Sequence, residues 1–169
     1  MIDTSTTGKI KFYYKRDVLF NEISLMSNYM AKNLSSKDGN SLTDEYAISD
    51  DERDLVDVCI RAALPDIYEA MTKITNAVTN AFDDDTVISG DHCVVFTLQD
   101  NDAYNPNVLT LVDASLNNCI KQGTLKEIYS TIVNPDFFKI SAERFVAELF
   151  KLKQRLFQLK KKSVVSNLS

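Results

Sequence analysis

The sequence predicts a mainly all-α fold, a bundle of four to five helices with one or two minor β-strands. Three observations carry that expectation. Only four glycines and three prolines punctuate 169 residues, which favours long helices over many short strands. Apolar residues recur at spacings of three and four over most of the chain, the mark of helices with one buried face. The best strand candidate is HCVVFTLQ at 92–99, where β-branched and aromatic residues lie between Gly90 and Asp100. With 44% hydrophobic and 25% charged residues, the composition is that of an ordinary globular chain, long enough for one core.

In order along the chain, residues 1–15 read as an extended N-terminal arm. Its KIKFYY stretch (9–14) suits a short strand or an arm, because Ile10, Phe12, Tyr13 and Tyr14 favour β geometry. A first helix is expected at about 16–35, with Leu19, Ile23, Met26, Met30 and Leu34 on one face. The run 35–42 is loop-like. At 49–55 Ser49 and Glu52 form a capping box, and Asp50 and Asp51 place negative charge at the positive end of the helix dipole. Leu55, Val58, Cys59 and Ala62 would form the next apolar stripe. Pro65 should kink or break this helix, with a second segment at 66–82. The aspartates at 83–85 fall outside it.

A further helix is expected at 107–132, with Gly123 marking a bend or a close helix contact. Pro135 suggests a turn, and Ser141 is the expected N-cap of the last helix. In that helix Phe145, Leu149, Leu152, Leu156 and Leu159 form the core stripe, widened by Val146, Phe150 and Phe157. The organisation is thus an arm at 1–15, a single helical domain at 16–162, and a tail at 163–169.

Enzyme motifs are lacking. The single histidine, His92, has Asp91 beside it but no nucleophile in a known setting. Four glycines supply no phosphate-binding loop. The aspartates at 83–85, 91, 100 and 102 do not satisfy an EF-hand: counting from Asp83 or Asp100, the required Gly and Glu positions hold Ile88 and Val94, or Asn105 and Leu111. Cys59, Cys93 and Cys119 are widely spaced in apolar settings, as buried free thiols in a reducing compartment would be. No catalytic residue, cofactor or metal is expected, and no membrane span.

Charge is distributed unevenly. Residues 1–138 hold 11 basic and 22 acidic side chains, and residues 139–162 hold eight basic and two acidic. An acidic chain therefore ends in a basic helix. Four readings stand for that helix: a nucleic-acid contact, a membrane helix, a docking surface for an acidic neighbour, or a solvated face. Of the functional readings docking fits best, because complementary charges on opposite flanks allow head-to-tail association, which builds a ring when the rotation closes. The candidate interaction residues are Arg144, Lys151, Lys153, Arg155, Lys160, Lys161 and Lys162, joined by Phe12, Tyr13 and Tyr14 of the arm.

The order of segments resembles the neck, or head–tail connector, proteins of tailed bacteriophages, in particular those of Bacteroides-type hosts, including the crAss-like group. The resemblance is carried by 18–34 (Glu22, Ile23, Ser27, Tyr29, Lys32), the Asp-rich run 44–56, the helix at 107–132 and the closing basic helix. It implies a structural virion protein without catalysis. Such proteins form rings, commonly twelve-fold, beneath the portal protein and against other neck or tail rings. Genomic DNA passes through without sequence-specific binding. The implied location is the virion neck, and the host cytoplasm during assembly. A monomeric helical adaptor, or a nucleic-acid-binding module acting through the basic helix, is the alternative.

Overall fold

The computed structural model describes residues 1–4, 8–33, 47–84, 92–99, 104–132 and 134–160. The fold is mainly helical, as the sequence predicts. Four α-helices are present among the described residues: α1 (Arg16–Asn33), α2 (Arg53–Thr72), α3 (Leu109–Thr131) and α4 (Pro135–Lys160). The β component is larger than expected. Strands β1 (Ile2–Asp3), β2 (Lys9–Lys15), β3 (Ala77–Asp84) and β4 (Cys93–Gln99) form one antiparallel sheet in the order β1-β2-β4-β3.

The N-terminal segment is therefore not an extended arm. β2 is an interior strand whose Phe12 pairs with Phe96 and whose Tyr13 pairs with Val95 of β4. Alternation assigns the side chains to two faces. Ile10, Phe12 and Tyr14, with Val94, Phe96 and Leu98, join the main core under the helices. Tyr13, Val95 and Cys93 form a small cluster on the other face. Burial on both faces explains the consecutive apolar residues Phe12, Tyr13 and Tyr14 of β2 and Cys93 to Phe96 of β4, which strict alternation would not show.

Three helix boundaries depart from expectation. α2 runs through Pro65 without breaking; the proline ring is on the exposed side, so water can solvate the carbonyl that loses its helical partner. The helix ends at Thr72, where the Thr75 hydroxyl and N–H both donate to the Met71 carbonyl at 2.8 Å. The chain then enters β3 instead of continuing as a helix to 82. Val, Thr, Asn and Phe in this stretch are weak helix formers, and pairing with β4 satisfies their backbone. Ser141 is not an N-cap. α4 begins two turns earlier, at Pro135 in its first position, with the Asn134 side-chain oxygen accepting from the Phe137 N–H at 3.1 Å.

Other expectations are met. The Ser49 N–H donates to the Glu52 carboxylate at 2.7 Å just before α2. Cys59, Cys93 and Cys119 are buried free thiols. α3 is the central helix, buried between α2 and α4, and Gly123 marks the point where all three converge. The loop at 35–42, Leu34, Asp85 and the tail at 163–169 lie outside the described residues.

Candidate protein-interaction surface

α4 packs through Phe145, Leu152, Leu156 and Leu159, with Leu149 partly buried. Val146, Phe150 and Phe157, expected in the same stripe, are instead 65%, 62% and 58% exposed. The reason is geometric. Each comes one position after a core-side residue (Phe145, Leu149 or Leu156), which turns it about 100° around the helix. One packing face is not wide enough for both sets. The exposed residues form a second stripe with Lys153 and Lys160, since 146, 150, 153, 157 and 160 alternate spacings of four and three.

The basic residues consequently divide. Lys153 and Lys160 lie on the apolar stripe. Arg144, Lys151 and Arg155 lie on the other flank, and of these Lys151 and Arg155 are committed within the molecule. Lys151 donates to Glu148 at 2.7 Å. Arg155 is half-buried and donates to the Leu111 carbonyl at 2.8 Å and to the Ser115 hydroxyl, which ties α4 to α3. Lys161 and Lys162 lie outside the described residues. Phe12, Tyr13 and Tyr14 are buried and do not form an exposed surface. The Tyr14 hydroxyl bonds to the Asp113 carboxylate at 2.9 Å, and burial together with that carboxylate holds its ionisation well above the usual tyrosine range.

An exposed stripe with acidic ends runs along α2, beside α4. Asp54, Val58, Ala62, Pro65 and Glu69 make one exposed stripe along α2, and Val58 is 63% exposed. Asp66 and Glu69 of α2, with Lys73 just past its end, face Leu149 and Lys153 of α4 across a groove of about 180 Å³. Acidic and basic stripes are thus neighbours on one side of the molecule. Lys73 hydrogen-bonds to Glu69 and holds its carboxyl below the usual range.

Two larger cavities offer less. One, of about 470 Å³, lies where α1 and α2 begin and includes Lys15, Arg16, Arg53 and His92. Both of its arginines are paired within the molecule: Arg16 with Asp57, and Arg53 with Asp17 at 2.7 Å. Arg16 also lies 4.5 Å and Arg61 4.2 Å from the Phe82 ring centre, a stacking that holds β3 to the helices. The other cavity, of about 510 Å³, is an open one between β2, α1 and α3, with the hydrogen-bonded Tyr14 and Asp113 in its wall. Among the described residues no group of three His, Cys, Asp or Glu side chains could hold a metal ion. No helix there is long and apolar enough to cross a membrane.

No protein-family profile, curated protein or solved structure matches the chain.

Proposed function

We propose that the chain is a non-catalytic structural subunit that assembles through the exposed face of α4, and that its setting is a ring in the neck of a tailed phage, between portal and tail. One observation carries the assembly reading. Val146, Phe150 and Phe157 keep three large apolar side chains in water on a well-formed helix, bordered by Lys153 and Lys160. A contiguous apolar stripe rimmed by charge is the usual mark of a contact surface. The neck setting rests on the resemblance of the helical segments and of the closing basic helix. In that setting the acidic remainder of the chain would line or flank the channel and let DNA slide without sticking.

The test is the mass and shape of the purified protein, alone and mixed with its phage's portal complex, by light scattering and negative-stain imaging. Rings of about a dozen copies on the portal are expected under the resemblance. A monomer that ignores the portal would overturn the neck reading and leave a helical adaptor.

A further inference from the structure

We propose that the exposed α4 stripe docks antiparallel along α1 of a second copy of this chain, with Phe157 entering that copy's cavity between β2, α1 and α3. The inference rests on the reading of α4 as an assembly surface and names its partner.

α1 carries an exposed apolar stripe of its own. Val18, Leu25 and Tyr29 follow one line with Glu22 and Lys32, and Leu25 and Tyr29 are 69% and 71% exposed. Positions 18, 22, 25, 29 and 32 alternate spacings of four and three; positions 157, 153, 150, 146 and 143 of α4, counted backwards, do the same. Laid antiparallel, the two lines therefore match position by position over about 21 Å of helix. Phe157 meets Val18, Phe150 meets Leu25 and Val146 meets Tyr29. Lys153 falls on Glu22, and Glu143 falls on Lys32. Laid parallel, with the two phenylalanines on Val18 and Leu25, Lys153 and Lys160 would fall on Asn21 and Asn28. Charge thus selects the antiparallel direction. Glu143 and Lys32 are exposed and have no ion pair among the described residues. The bonds of Glu22 to Asn117 and Lys121 both use Oε2, which leaves Oε1 to Lys153.

The cavity receives one end of the stripe. Val18 stands in its wall with Tyr14, Thr110 and Ala114, and its volume of about 510 Å³ is enough for an aromatic ring. Its carboxylate, Asp113, is already bonded to Tyr14, so the cavity offers shape more than charge. The two surfaces face different ways. Arg155 ties α4 to α3, and Phe157, two positions on, is turned about 200° from it, so the stripe points away from α3. The α1 stripe instead borders α3 through Glu22 and the cavity. One copy can therefore present α4 and receive a neighbour's α4 at once, which makes the contact head to tail. A footprint of about 21 Å by one helix width of about 10–12 Å is small beside the roughly 800 Å² per partner of a standard interface. Each contact is therefore weak alone, and association should depend on concentration.

The experiment is sedimentation equilibrium of three proteins at rising concentration: wild type, an α4 variant (Phe150→Asp with Phe157→Asp) and an α1 variant (Val18→Asp with Leu25→Asp). All four positions are exposed, and folding is checked by circular dichroism and a melting curve. The wild type should rise reversibly from 19.1 kDa past twice that mass, since a head-to-tail contact does not stop at a pair. Each variant alone should stay monomeric. Their equimolar mixture should stop at twice the monomer mass, because one native contact remains and the other sets aspartates against aspartates. A second set reads the same contact by charge: Lys32→Glu and Glu143→Lys should each weaken association, and the two together in one chain should restore it. An α1 variant that associates like the wild type, or a mixture that fails to pair, overturns the α1 site; loss in the α4 variant would still leave α4 as a contact surface. An α4 variant that associates like the wild type overturns both. A wild type that stays monomeric at every concentration overturns the self-contact, and the portal experiment then judges α4 separately.

Discussion

Gly123 of α3 and Phe145 of α4 meet so closely that a β-carbon at Gly123 would stand 2.9 Å from the edge of the Phe145 ring, and no farther from the Ala63 β-carbon of α2. The glycine lets three helices share one crossing point. Gly→Ala in an exposed helix stabilises by about 1 kcal/mol through propensity. Here the sign should reverse, because overpacking costs about 1–3 kcal/mol when neighbours cannot yield. Gly123→Ala is expected to lower the urea midpoint without changing the slope, whereas a raised midpoint would mean that the helices are not held this close.

The start of α4 gives an opposing pair of substitutions. Asn134 caps the helix, so Asn134→Ala should cost about 1 kcal/mol. Ser141 is fully buried with no hydrogen-bond partner for its hydroxyl. Ser141→Ala removes an unsatisfied polar group and should be neutral or stabilising. If Ser141 were the cap, thermal denaturation would rank the two variants the other way round.

Arg155 and Lys153 are two residues apart and should behave differently. Arg155→Met removes the bonds to the Leu111 carbonyl and Ser115 and should destabilise by about 1 kcal/mol. Lys153→Met touches only an exposed side chain and should stay within about 0.5 kcal/mol. Equal losses in chemical denaturation would contradict the division of the basic residues into a structural and an exposed set.

Alkaline pH should weaken the fold. Burial, with the Asp113 carboxylate adding to it, raises the Tyr14 ionisation, so the folded state holds this proton more tightly than the unfolded chain. Burial raises the Cys119 thiol in the same sense. For both, the stabilisation is complete below the unfolded value, about 8.5 for Cys and 10 for Tyr. It is lost as pH rises above it, because the unfolded state then releases protons that the folded state keeps. Denaturation between pH 8 and pH 11 should show a falling midpoint, and Tyr14→Phe should flatten the steeper part above pH 10. An unchanged slope in that variant would mean that Tyr14 is not buried against Asp113.

Much of this architecture was legible in local patterns. The helical class, the capping Glu52, strand β4 and the close contact at Gly123 are all readable from spacing or from single residue types. The errors share a cause: each needed a tertiary partner to be known. β2 looked like an arm because nothing local says that β4 lies beside it. Ile74, Ala77 and Ala81 fit a helical period, yet the strand edge of β4 took the segment. Pro65 counted as a breaker until its solvent-facing position was known. Of the interaction surface, the basic residues were visible but their division was not, because Arg155 is engaged by a carbonyl forty-four positions away. The exposed apolar stripe was readable in principle, since Val146, Phe150 and Phe157 each sit one step past a core-side residue and cannot share its face.

The central claim is that the exposed α4 stripe is an assembly surface. Its most direct test is light scattering with negative-stain imaging of the protein mixed with its phage's portal complex, comparing wild type with the Phe150→Asp, Phe157→Asp variant. Rings on the portal with wild type, and bare portal with the equally folded variant, are the expected result. Wild type that leaves the portal bare, or a variant that decorates it as well as wild type does, would contradict the claim.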